Sequence, residues 1–352
     1  MCGTLAVYGS ADRPPCARYH PRMLDDPGFD PDELAAALRA GWGVAASAFT
    51  FVPGYDTQAA TYAVDTSADP LFLKVHLRTP PDAPLAVPSA LLEAGVPNVL
   101  APIHTVASGL SYGMGDGRSL VVYPLIAGRN AMVAGMTADQ WRTFGSTLRA
   151  VHDSPIAGRF AGRLPAETFG LVATAAVRSA LERAHGPVGQ SPAAGRLARL
   201  LRDRTDQIEA MLKRAEGLGA RLASRGLEPV LCHADIHAAN LLVADDGRIF
   251  LVDWDGPKVA PRERDLLFVI GSRIARDVEP HEEAWFFEGY GEVPVDPEAI
   301  VYYRYERILE DIGEIARSVF EGGSSEESRA WEVDLAESFF GAGGILETVE
   351  RM

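Results

Sequence analysis

Three polar side chains between residues 231 and 257 have the types and the spacing needed to handle phosphate and a metal ion. Asn240 follows Asp235 by five residues, and Asp253 follows Asn240 by thirteen. An amide oxygen and a carboxylate are the ligands that Mg²⁺ usually takes from a protein when it bridges nucleotide phosphates. We therefore predict that Asn240 and Asp253 hold Mg²⁺ and that Asp235 is the catalytic base for phosphoryl transfer to a hydroxyl.

Apolar runs around these residues indicate the elements that position them. Residues 229–232, 241–243 and 249–252 are short apolar runs typical of strands, and Asp246-Gly247 is typical of a two-residue hairpin turn. A hairpin would bring the three polar side chains into one small volume at strand ends. The alternative is that the two aspartates are ordinary turn residues, which is common for one aspartate but not for several polar positions in register.

The motif His233-x-Asp235-x4-Asn240 followed by Asp253 resembles the catalytic loop and metal aspartate of the protein-kinase-like superfamily. Its version here, DIHAAN at residues 235–240, resembles the aminoglycoside phosphotransferase branch, whose members phosphorylate small molecules. The resemblance implies an α+β, bilobal protein-kinase-like fold with a small β-rich N-lobe and a larger helical C-lobe. It also implies ATP or GTP as the co-substrate.

Four further polar residues lie near the motif. In kinase-like folds the first histidine of this loop usually braces the backbone, so a packing role is favoured over proton transfer for His233 and His237. Asp255 either approaches the metal and phosphates or caps the turn that follows it. Asp265 precedes an apolar helix, where a carboxylate near the helix N-terminus is stabilising, and we assign it to the fold.

A lysine on an apolar strand precedes the motif, as the resemblance to kinases requires. Lys74 lies in the apolar run 71–75. Such a lysine alone is most often an edge-strand charge, but the resemblance implies that it contacts the α- and β-phosphates. The family pairs it with an acidic residue on the next helix, where the proline-rich segment 80–88 departs from the pattern. Asp82 fits by position, with Glu93 as the alternative.

The run 120–126 is a buried-strand candidate that resembles the hinge between the lobes of kinases. The resemblance implies backbone contacts to the nucleobase, although a plain core strand explains the hydrophobicity equally well, and both ATP and GTP fit. The earlier loop at residues 51–61 stands where a phosphate-covering loop would, but its lack of G-x-G-x-x-G disfavours a protein kinase. The hinge positions expected to bind the nucleotide are Tyr123, Pro124, Leu125 and Ile126.

The hydrophobic period changes after the hinge, and this change indicates the domain organisation. A capping box at residues 137–140 precedes apolar positions at helical spacing. The same period continues at residues 197–212 and 302–312, whereas residues 30–40 give the first helix signal of the chain. We expect an N-terminal extension at residues 1–22 and a nucleotide-binding N-lobe at residues 23–125. The C-lobe, with the catalytic hairpin and the substrate pocket, is expected at residues 126–352.

Composition limits the partners and the compartment. The 352 residues are 47% hydrophobic, which suffices for two lobes with cores, and the formal net charge is −15. An acidic chain without a dense basic cluster disfavours nucleic acid and favours a cationic small-molecule substrate. No apolar run approaches about eighteen residues and no secretory leader pattern begins the chain, so we expect a cytoplasmic protein without membrane contact and with reduced cysteines. The oligomeric state is left open.

Carboxylates in the last third of the chain are the candidates for binding a cationic acceptor. We select Glu282, Glu306 and Asp311, with Tyr303 to cover a ring face and Asp235 to meet the acceptor hydroxyl. The alternative is that each carboxylate lies on a solvated helix face, which is the commoner situation.

Four runs, at residues 253–257, 260–266, 287–291 and 302–307, together resemble the spectinomycin phosphotransferases, which phosphorylate the 9-hydroxyl. The resemblance implies transfer of the γ-phosphate of a nucleoside triphosphate to an aminocyclitol or aminoglycoside antibiotic, with spectinomycin foremost, giving resistance. One alternative is a kinase for another small alcohol, such as another antibiotic or a choline-like or homoserine-like compound. A non-catalytic nucleotide-binding relative is disfavoured because the phosphate and metal residues are all present.

Overall fold

The first part of the chain folds as an antiparallel sheet. Its strands are β1 (Ala46–Val52), β2 (Ala59–Thr66), β3 (Leu71–His76), β4 (Tyr112–Gly113) and β5 (Ser119–Pro124). They pair in the order β1-β2-β3-β5-β4. The computed structural model describes residues 26–54, 58–322 and 325–341, with Leu346 and Val349. The N-terminal extension expected at residues 1–22 lies outside the described residues.

The strand that carries the lysine lies in the middle of this sheet. All six residues of β3 are buried, and Lys74 pairs with Thr61 on β2 and with Val121 on β5. The predicted strand position of Lys74 is confirmed, and the edge-strand alternative is wrong. Because side chains alternate along a strand, Lys74 shares a sheet face with Phe72, whereas Leu73 points to the opposite face.

Helix α1 (Pro31–Trp42) covers the face of the sheet that carries Leu73. The helix begins at Asp30, whose side chain accepts a hydrogen bond from Asp32 N at 3.0 Å, so the helix signal at residues 30–40 is confirmed. A short polar side chain at this position satisfies one of the N–H groups that have no intrahelical partner. The buried apolar side chains of α1 pack on alternate residues of β2, β3 and β5.

Helix α2 (Asp82–Glu93) begins inside the proline-rich segment, with Pro81 as its N-cap residue and Pro88 in its interior. Pro84 lies in the first turn, where proline is tolerated because the N–H groups there lack intrahelical partners. Pro88 lies beyond that turn and removes one helical hydrogen bond, yet the helix continues to Glu93. Leu85 of α2 joins the cluster of buried side chains on the sheet face that carries Lys74.

The chain leaves the first sheet after β5. Leu125 N donates to the carbonyl oxygen of Pro70 at 3.2 Å, and the next strand, β6 (Gly128–Asn130), belongs to a different sheet. Leu242 and Val252 from the second part of the chain pack against the face of the first sheet that carries the lysine. This contact defines the interlobe apolar cluster, where the β-rich N-lobe meets the C-lobe.

Helices make up most of the C-lobe, which confirms the predicted bilobal α+β architecture with a β-rich N-lobe. They are α3 (Ala131–Ala134), α4 (Ala138–His152), α5 (Thr174–Ala184), α6 (Pro192–Asp203), α7 (Thr205–Leu222), α8 (Glu263–Leu266), α9 (Pro280–Tyr290), α10 (Pro297–Glu321) and α11 (Glu326–Phe339). The strands are β7 (Pro229–Cys232), β8 (Leu241–Ala244), β9 (Ile249–Leu251) and β10 (Lys258–Pro261). Among the described residues, no helix combines the length and the apolarity needed to cross a bilayer.

The helix signals of the C-lobe are borne out with one change. The Thr137 and Gln140 side chains form the predicted reciprocal capping box at the start of α4. The pattern at residues 302–312 belongs to α10, which spans 25 residues. The continuous period at residues 197–212 is instead divided between α6 and α7, which meet at Arg204.

The predicted hairpin is present, and all three apolar runs form strands. Strands β8 and β9 pair antiparallel around the turn that contains Gly247, whose φ is 88°. Strand β7 pairs with β10. The loop between β7 and β8 contains a 3₁₀ turn at Ala238–Asn240 and carries the chain from one sheet to the other.

Helices α4 and α9 approach each other closely at two glycines. A β-carbon at Gly289 would overlap the carbonyl oxygen of Arg142, and one at Gly145 would overlap the carbonyl oxygen of Phe286. Only a hydrogen side chain allows the two helix backbones to touch at these points. The separation of α4 and α9 is therefore set by backbone contact.

Candidate active site

A buried carboxylate holds the catalytic loop, which we define as residues 233–240. Asp265 of α8 accepts hydrogen bonds from His233 N at 2.9 Å and from Ala234 N at 2.7 Å. The loop needs such support because Ala234 has a φ of 70°, a conformation that side chains with a β-carbon rarely adopt. Asp265 is thus a residue of the fold that also holds the loop in its strained conformation.

A hydrogen-bonded chain connects this carboxylate to α4 and α9. His152 Nε2 lies 3.0 Å from Asp265 Oδ2, and His152 Nδ1 lies 2.6 Å from the Tyr290 hydroxyl. We call Tyr290, His152 and Asp265 the loop brace. Cys232 is adjacent to it as a buried free cysteine. Burial raises the pKa of the Cys232 thiol, with Asp265 adding to the effect, so the sulfur stays protonated and is a poor metal ligand.

The first histidine of the loop is used inside the protein. His233 Nε2 lies 2.9 Å from the Val252 carbonyl oxygen, and its Nδ1 accepts a hydrogen bond from Asp235 N at 3.4 Å. Its ring centroid lies 4.5 Å from that of Trp254. Since one ring nitrogen donates and the other accepts, the imidazole links the catalytic loop to the segment that ends at Asp253.

Two basic side chains approach the same carboxylate oxygen of Asp235. Arg307 Nη1 lies 2.7 Å from Asp235 Oδ1, and His237 Nε2 lies 3.6 Å from the same atom. Burial alone would raise the pKa of Asp235, but Arg307 and the two histidines of the loop lower it to about 2. Burial lowers the pKa of His237 to about 4 despite the nearby carboxylate. At neutral pH Asp235 is ionised and His237 is neutral.

The two predicted metal-binding side chains lie on adjacent segments. Val252 N donates to the Asn240 carbonyl oxygen at 3.1 Å, which places Asn240 beside Asp253. Asn240 Nδ2 donates to the carbonyl oxygen of Asp235 at 2.8 Å, so the amide oxygen is the atom that would ligate a metal. Asp253 has a φ of 65° and is buried, a second strained residue at the site.

Asp255 connects the C-lobe part of the site to the lysine of the N-lobe. Asp255 Oδ2 lies 3.5 Å from Lys74 Nζ. Burial and then the charge of Asp255 raise the pKa of Asp253, and the two carboxyl groups share a hydrogen bond. Burial opposes ionisation of Asp255, but Lys74 and that hydrogen bond lower the pKa of its carboxyl. Lys74, Asp253 and Asp255 therefore form one electrostatic unit between the lobes.

The acidic partner expected on α2 has a different contact. Asp82 forms an ion pair with Arg163, and the Asp82 side chain is 69% exposed. Glu93 lies 3.6 Å from Arg159. Among the ion pairs of the described residues, none joins Lys74 to Asp82 or Glu93, and the carboxylate beside this lysine comes from the C-lobe. The long distance in sequence between the two partners explains why spacing along the chain did not identify the pair.

The hinge residues adjoin the interlobe apolar cluster. Tyr123 is buried on β5, and Pro124 ends that strand with an exposed side chain. Leu125 and Ile126 are partly buried and pack against Tyr123 and the C-lobe side chains of this cluster. An apolar surface thus continues from the hinge to Leu242 on β8. Leu242 is two residues after Asn240, the predicted metal ligand.

Of the acceptor-side candidates, Asp311 is the one that the structure links to the base. Arg307 Nε lies 3.2 Å from Asp311 Oδ1, so one guanidinium bridges Asp311 and Asp235. Burial raises the pKa of Asp311 to about 6, although Arg307 opposes the shift. Both carboxylates retain partial exposure, at 25% for Asp311 and 23% for Asp235.

The other acceptor-side candidates have partners inside the C-lobe. Glu306 is buried and pairs with Arg264, whose guanidinium carbon lies 5.4 Å from the Tyr303 ring centroid. Tyr303 has no exposed surface. Glu282 binds Arg276 through both carboxylate oxygens, at 2.6 and 2.8 Å. None of these contacts involves the catalytic loop. Buried side chains and ion pairs of this type stabilise the packing of helices.

Sequence reasoning missed Arg307, which contacts the predicted base. It lies within the run at residues 302–307 but carried no assignment. Its one local signal is the spacing of four residues to Asp311, which places both on one helix face. Its contact to Asp235 spans 72 residues and has no signature in the sequence.

Comparisons with known proteins identify the family and the fold of the chain. The family model described as "APH: Phosphotransferase enzyme family" matches residues 51–301. A crystal structure of a spectinomycin phosphotransferase, APH(9)-Ia, in complex with ADP and spectinomycin is 27% identical, with a TM-score of 0.82. The match covers 91% of this chain and 97% of that chain. An AMP-bound complex of a spectinomycin phosphotransferase, APH(9)-Ia, gives a TM-score of 0.80 at 27% identity, covering 91% and 98% of the two chains.

A more distant structure shares the fold. An amicoumacin kinase in complex with AMP-PNP, Ca²⁺ and Ami has a TM-score of 0.58 and 15% identity, with 87% of this chain and 92% of that chain covered. The family model matches well over half of the chain and includes the strand of Lys74, the hinge and the catalytic loop. The chain therefore belongs to the phosphotransferase enzyme family, APH, and is an enzyme of the kinase-like fold.

Proposed function

We propose that the protein transfers the γ-phosphate of a nucleoside triphosphate to a hydroxyl of a cationic aminocyclitol or aminoglycoside antibiotic, with spectinomycin as the first candidate. The observation that carries this proposal is the set of groups at the junction of the lobes. Lys74 lies beside Asp255, while Asn240 and Asp253 lie on adjacent segments next to Asp235. These are the groups that phosphoryl transfer requires, and they lie together where the two lobes meet.

The nucleotide is proposed to bind between the lobes. Its base would contact the hinge, Tyr123 to Ile126, and the interlobe apolar cluster, while Lys74 would bind the phosphates. A lysine is well suited to this because its ammonium is a compact charge with three donors. ATP and GTP both fit a site in which the hinge backbone contacts the base. On this proposal Asp255 holds the lysine in place before the nucleotide enters.

The donor set at the C-lobe side fits Mg²⁺. Asn240 and Asp253 would hold the ion, because a neutral amide oxygen and a carboxylate are hard oxygen ligands. The raised pKa of the Asp253 carboxyl, due to burial and to Asp255, supports this assignment, since crowded carboxyl groups mark a position where a cation relieves repulsion. When bound, Mg²⁺ supplies charge neutralisation for the phosphates.

The chemical step then depends on the orientation of the acceptor. Asp235 is ionised at neutral pH and receives the proton of the acceptor hydroxyl. The hydroxyl oxygen forms a bond to the γ-phosphorus, the bond from that phosphorus to the bridging oxygen breaks, and a nucleoside diphosphate leaves. The protein contributes mainly by holding the two reactants in line.

The acceptor would bind between the catalytic loop and α10. Asp311 is the proposed ligand for an amine of the acceptor, because it is partly exposed and is connected to Asp235 through Arg307. The net charge of −15 favours the approach of a cationic compound. The similarity to a spectinomycin phosphotransferase over most of both chains supports spectinomycin as the first compound to test.

The test is an assay of ADP or GDP release with purified protein, Mg²⁺ and either ATP or GTP. The acceptor panel contains spectinomycin, several aminoglycosides, choline and homoserine, and Asp235→Asn is the matched control. We expect turnover with spectinomycin that the control loses. Turnover with choline or homoserine instead would replace the antibiotic by another small alcohol. Acceptor turnover that Asp235→Asn retains would contradict the catalytic assignment.

A further inference from the structure

One guanidinium joins the proposed base to a carboxylate on α10. Arg307 Nη1 lies 2.7 Å from Asp235 Oδ1, and Arg307 Nε lies 3.2 Å from Asp311 Oδ1. Arg307 and Asp311 are four residues apart on a helix whose neighbouring turns are buried in the C-lobe. The base is thus contacted from outside the catalytic loop, by the longest helix of the described chain.

The two contacts fix the guanidinium in a definite orientation. The guanidinium is planar, and its Nε–H and terminal N–H groups point in different directions within that plane. Holding Nε against Asp311 therefore determines where Nη1 points. His237 Nε2 approaches the same oxygen of Asp235 at 3.6 Å from within the loop. Asp235 Oδ1 is thus contacted from two sides, by α10 and by the loop.

We propose that Arg307 is a positioning residue for the phosphoryl transfer, which holds Asp235 through Oδ1 and is itself held by Asp311. The proposal rests on the assignment of Asp235 as the base but not on the identity of the acceptor. Arg307 acts through the carboxylate of Asp235, which its guanidinium contacts directly. The orientation of the Asp235 carboxylate then depends on the position of α10.

This arrangement addresses a weakness of the loop. The residue before Asp235 is Ala234, with a φ of 70°, and the loop brace holds the backbone of Ala234 but not the Asp235 side chain. A carboxylate on such a loop has rotational freedom unless a side-chain contact removes it. A base misplaced by about 1 Å loses on the order of 100-fold in rate. Arg307 supplies such a contact from outside the loop.

The experiment compares Arg307→Lys and Arg307→Ala with wild type by steady-state kinetics. We expect kcat to fall about 10-fold for the lysine variant and about 100-fold for the alanine variant, with nucleotide KM within about twofold of wild type. The matched control is Arg196→Lys. Arg196 also bridges two carboxylates, Asp334 at 2.6 Å and Glu337 at 2.7 Å, but on α6 and α11. Its kcat should equal that of wild type.

A double substitution separates positioning from direct contact with the phosphoryl group. If Arg307 acts through the base, adding Arg307→Lys to Asp235→Asn should change kcat by less than about twofold, because the two losses are coupled. A further loss of about 10-fold in the Asp235→Asn background would show that Arg307 contacts the substrate directly and would overturn the proposal. Asp311→Asn should reproduce part of the Arg307→Lys loss.

Crystal structures provide a readout that needs no acceptor. In Arg307→Ala we expect the Asp235 carboxylate to rotate or to occupy more than one conformation, while Asp265 and the loop backbone keep their wild-type positions. An Asp235 carboxylate in its wild-type position would overturn the proposal, whatever the acceptor is. Failure of the whole acceptor panel with wild-type protein would instead contradict the proposed substrate and leave this structural comparison decisive for Arg307.

Discussion

Lys74 Nζ lies 3.5 Å from Asp255 Oδ2, so the two lobes are joined by an ion pair inside the proposed nucleotide site. The lysine is nearly buried, with 8% of its side chain exposed, whereas Asp255 is 52% exposed. An ammonium buried in this way requires a partner, because desolvation of an unpaired charge is unfavourable. Asp255 provides that partner in the structure, and on our proposal the nucleotide phosphates share or replace it.

Asp255→Asn should therefore change nucleotide binding more than Asp82→Asn does. Without the carboxylate, Lys74 has weaker support, and we expect nucleotide KM to rise about 5- to 20-fold, since an interaction of 1–2 kcal/mol is lost. Asp82 is exposed and pairs with Arg163, so its amide variant should remain within about twofold. Nucleotide KM at saturating acceptor measures both. A larger effect from Asp82→Asn would restore the sequence-based pairing on α2.

The two proposed metal ligands should show their role in the metal requirement. Asn240→Ala and Asp253→Ala each remove one oxygen ligand, so the Mg²⁺ concentration that gives half-maximal activity should rise about 10-fold or more. Asp235→Asn should leave that concentration unchanged while kcat falls by about 100- to 10,000-fold. Mg²⁺ titrations of the three variants distinguish the roles. An unchanged Mg²⁺ requirement in both alanine variants would remove them from the metal site.

Asp311 should give the reaction a pH dependence near 6. Burial raises the pKa of its carboxyl to about 6, so it is negative above that pH and neutral below it. Acceptor KM should increase as pH falls through about 6, because a cationic acceptor then loses an anionic ligand. The pKa of Asp235 is about 2 and that of His237 about 4, so neither titrates in that range. In Asp311→Asn, acceptor KM should be high and independent of pH between 5 and 7.

The raised pKa of the Asp311 carboxyl also affects the stability of the folded protein. A carboxyl with a raised pKa binds its proton more tightly in the folded protein than in the unfolded chain. Between the ordinary value near 4 and about 6, the folded state therefore holds more protons, and the free energy of unfolding falls as pH rises. Asp311→Asn should remove this slope, with a difference of about 2 kcal/mol at most. Urea denaturation of both proteins at pH 4.5 and pH 7 measures it.

The loop brace should contribute to both stability and turnover. Asp265→Ala leaves the N–H groups of His233 and Ala234 and the imidazole of His152 without their buried acceptor. We expect a loss of roughly 3 kcal/mol in the free energy of unfolding, together with a reduced kcat. Asp153→Ala, which removes a carboxylate paired with Arg149 at the surface, should stay within about 0.5 kcal/mol. Equal stability of the two variants would contradict the assignment.

Sequence analysis predicted the parts of the candidate site that lie close together in the chain. The spacing of Asp235, Asn240 and Asp253 reflects one loop and one hairpin, and the strand of Lys74 is evident from its apolar neighbours. These features depend on local periodicity, which a sequence displays directly. The bilobal fold followed from the resemblance that these residues carry.

Contacts between distant segments were not recoverable in this way. Asp255 reaches Lys74 across the interlobe cleft, and Arg307 reaches Asp235 from α10. Packing of whole elements creates such contacts, and no spacing rule specifies them. Asp82 was chosen by its position after the lysine, yet the orientation of α2 directs it to Arg163. The sequence also does not show which charged residues of a helix are buried. Glu306 and Asp311 lie on the same helix, but Glu306 is buried and Asp311 is more exposed.

The glycine contact between α4 and α9 acts as a spacer for the catalytic loop. Tyr290 is the residue after Gly289, and its hydroxyl reaches His152 at the end of α4, which in turn contacts Asp265. A methyl group at Gly289 would push the two helices apart. The hydrogen bond between Tyr290 and His152 would then lengthen. The position of the catalytic loop thus depends in part on the lack of a side chain at Gly289. Engineering of this enzyme can alter the proposed acceptor-binding residues on α10 while leaving the distance between α4 and α9 unchanged.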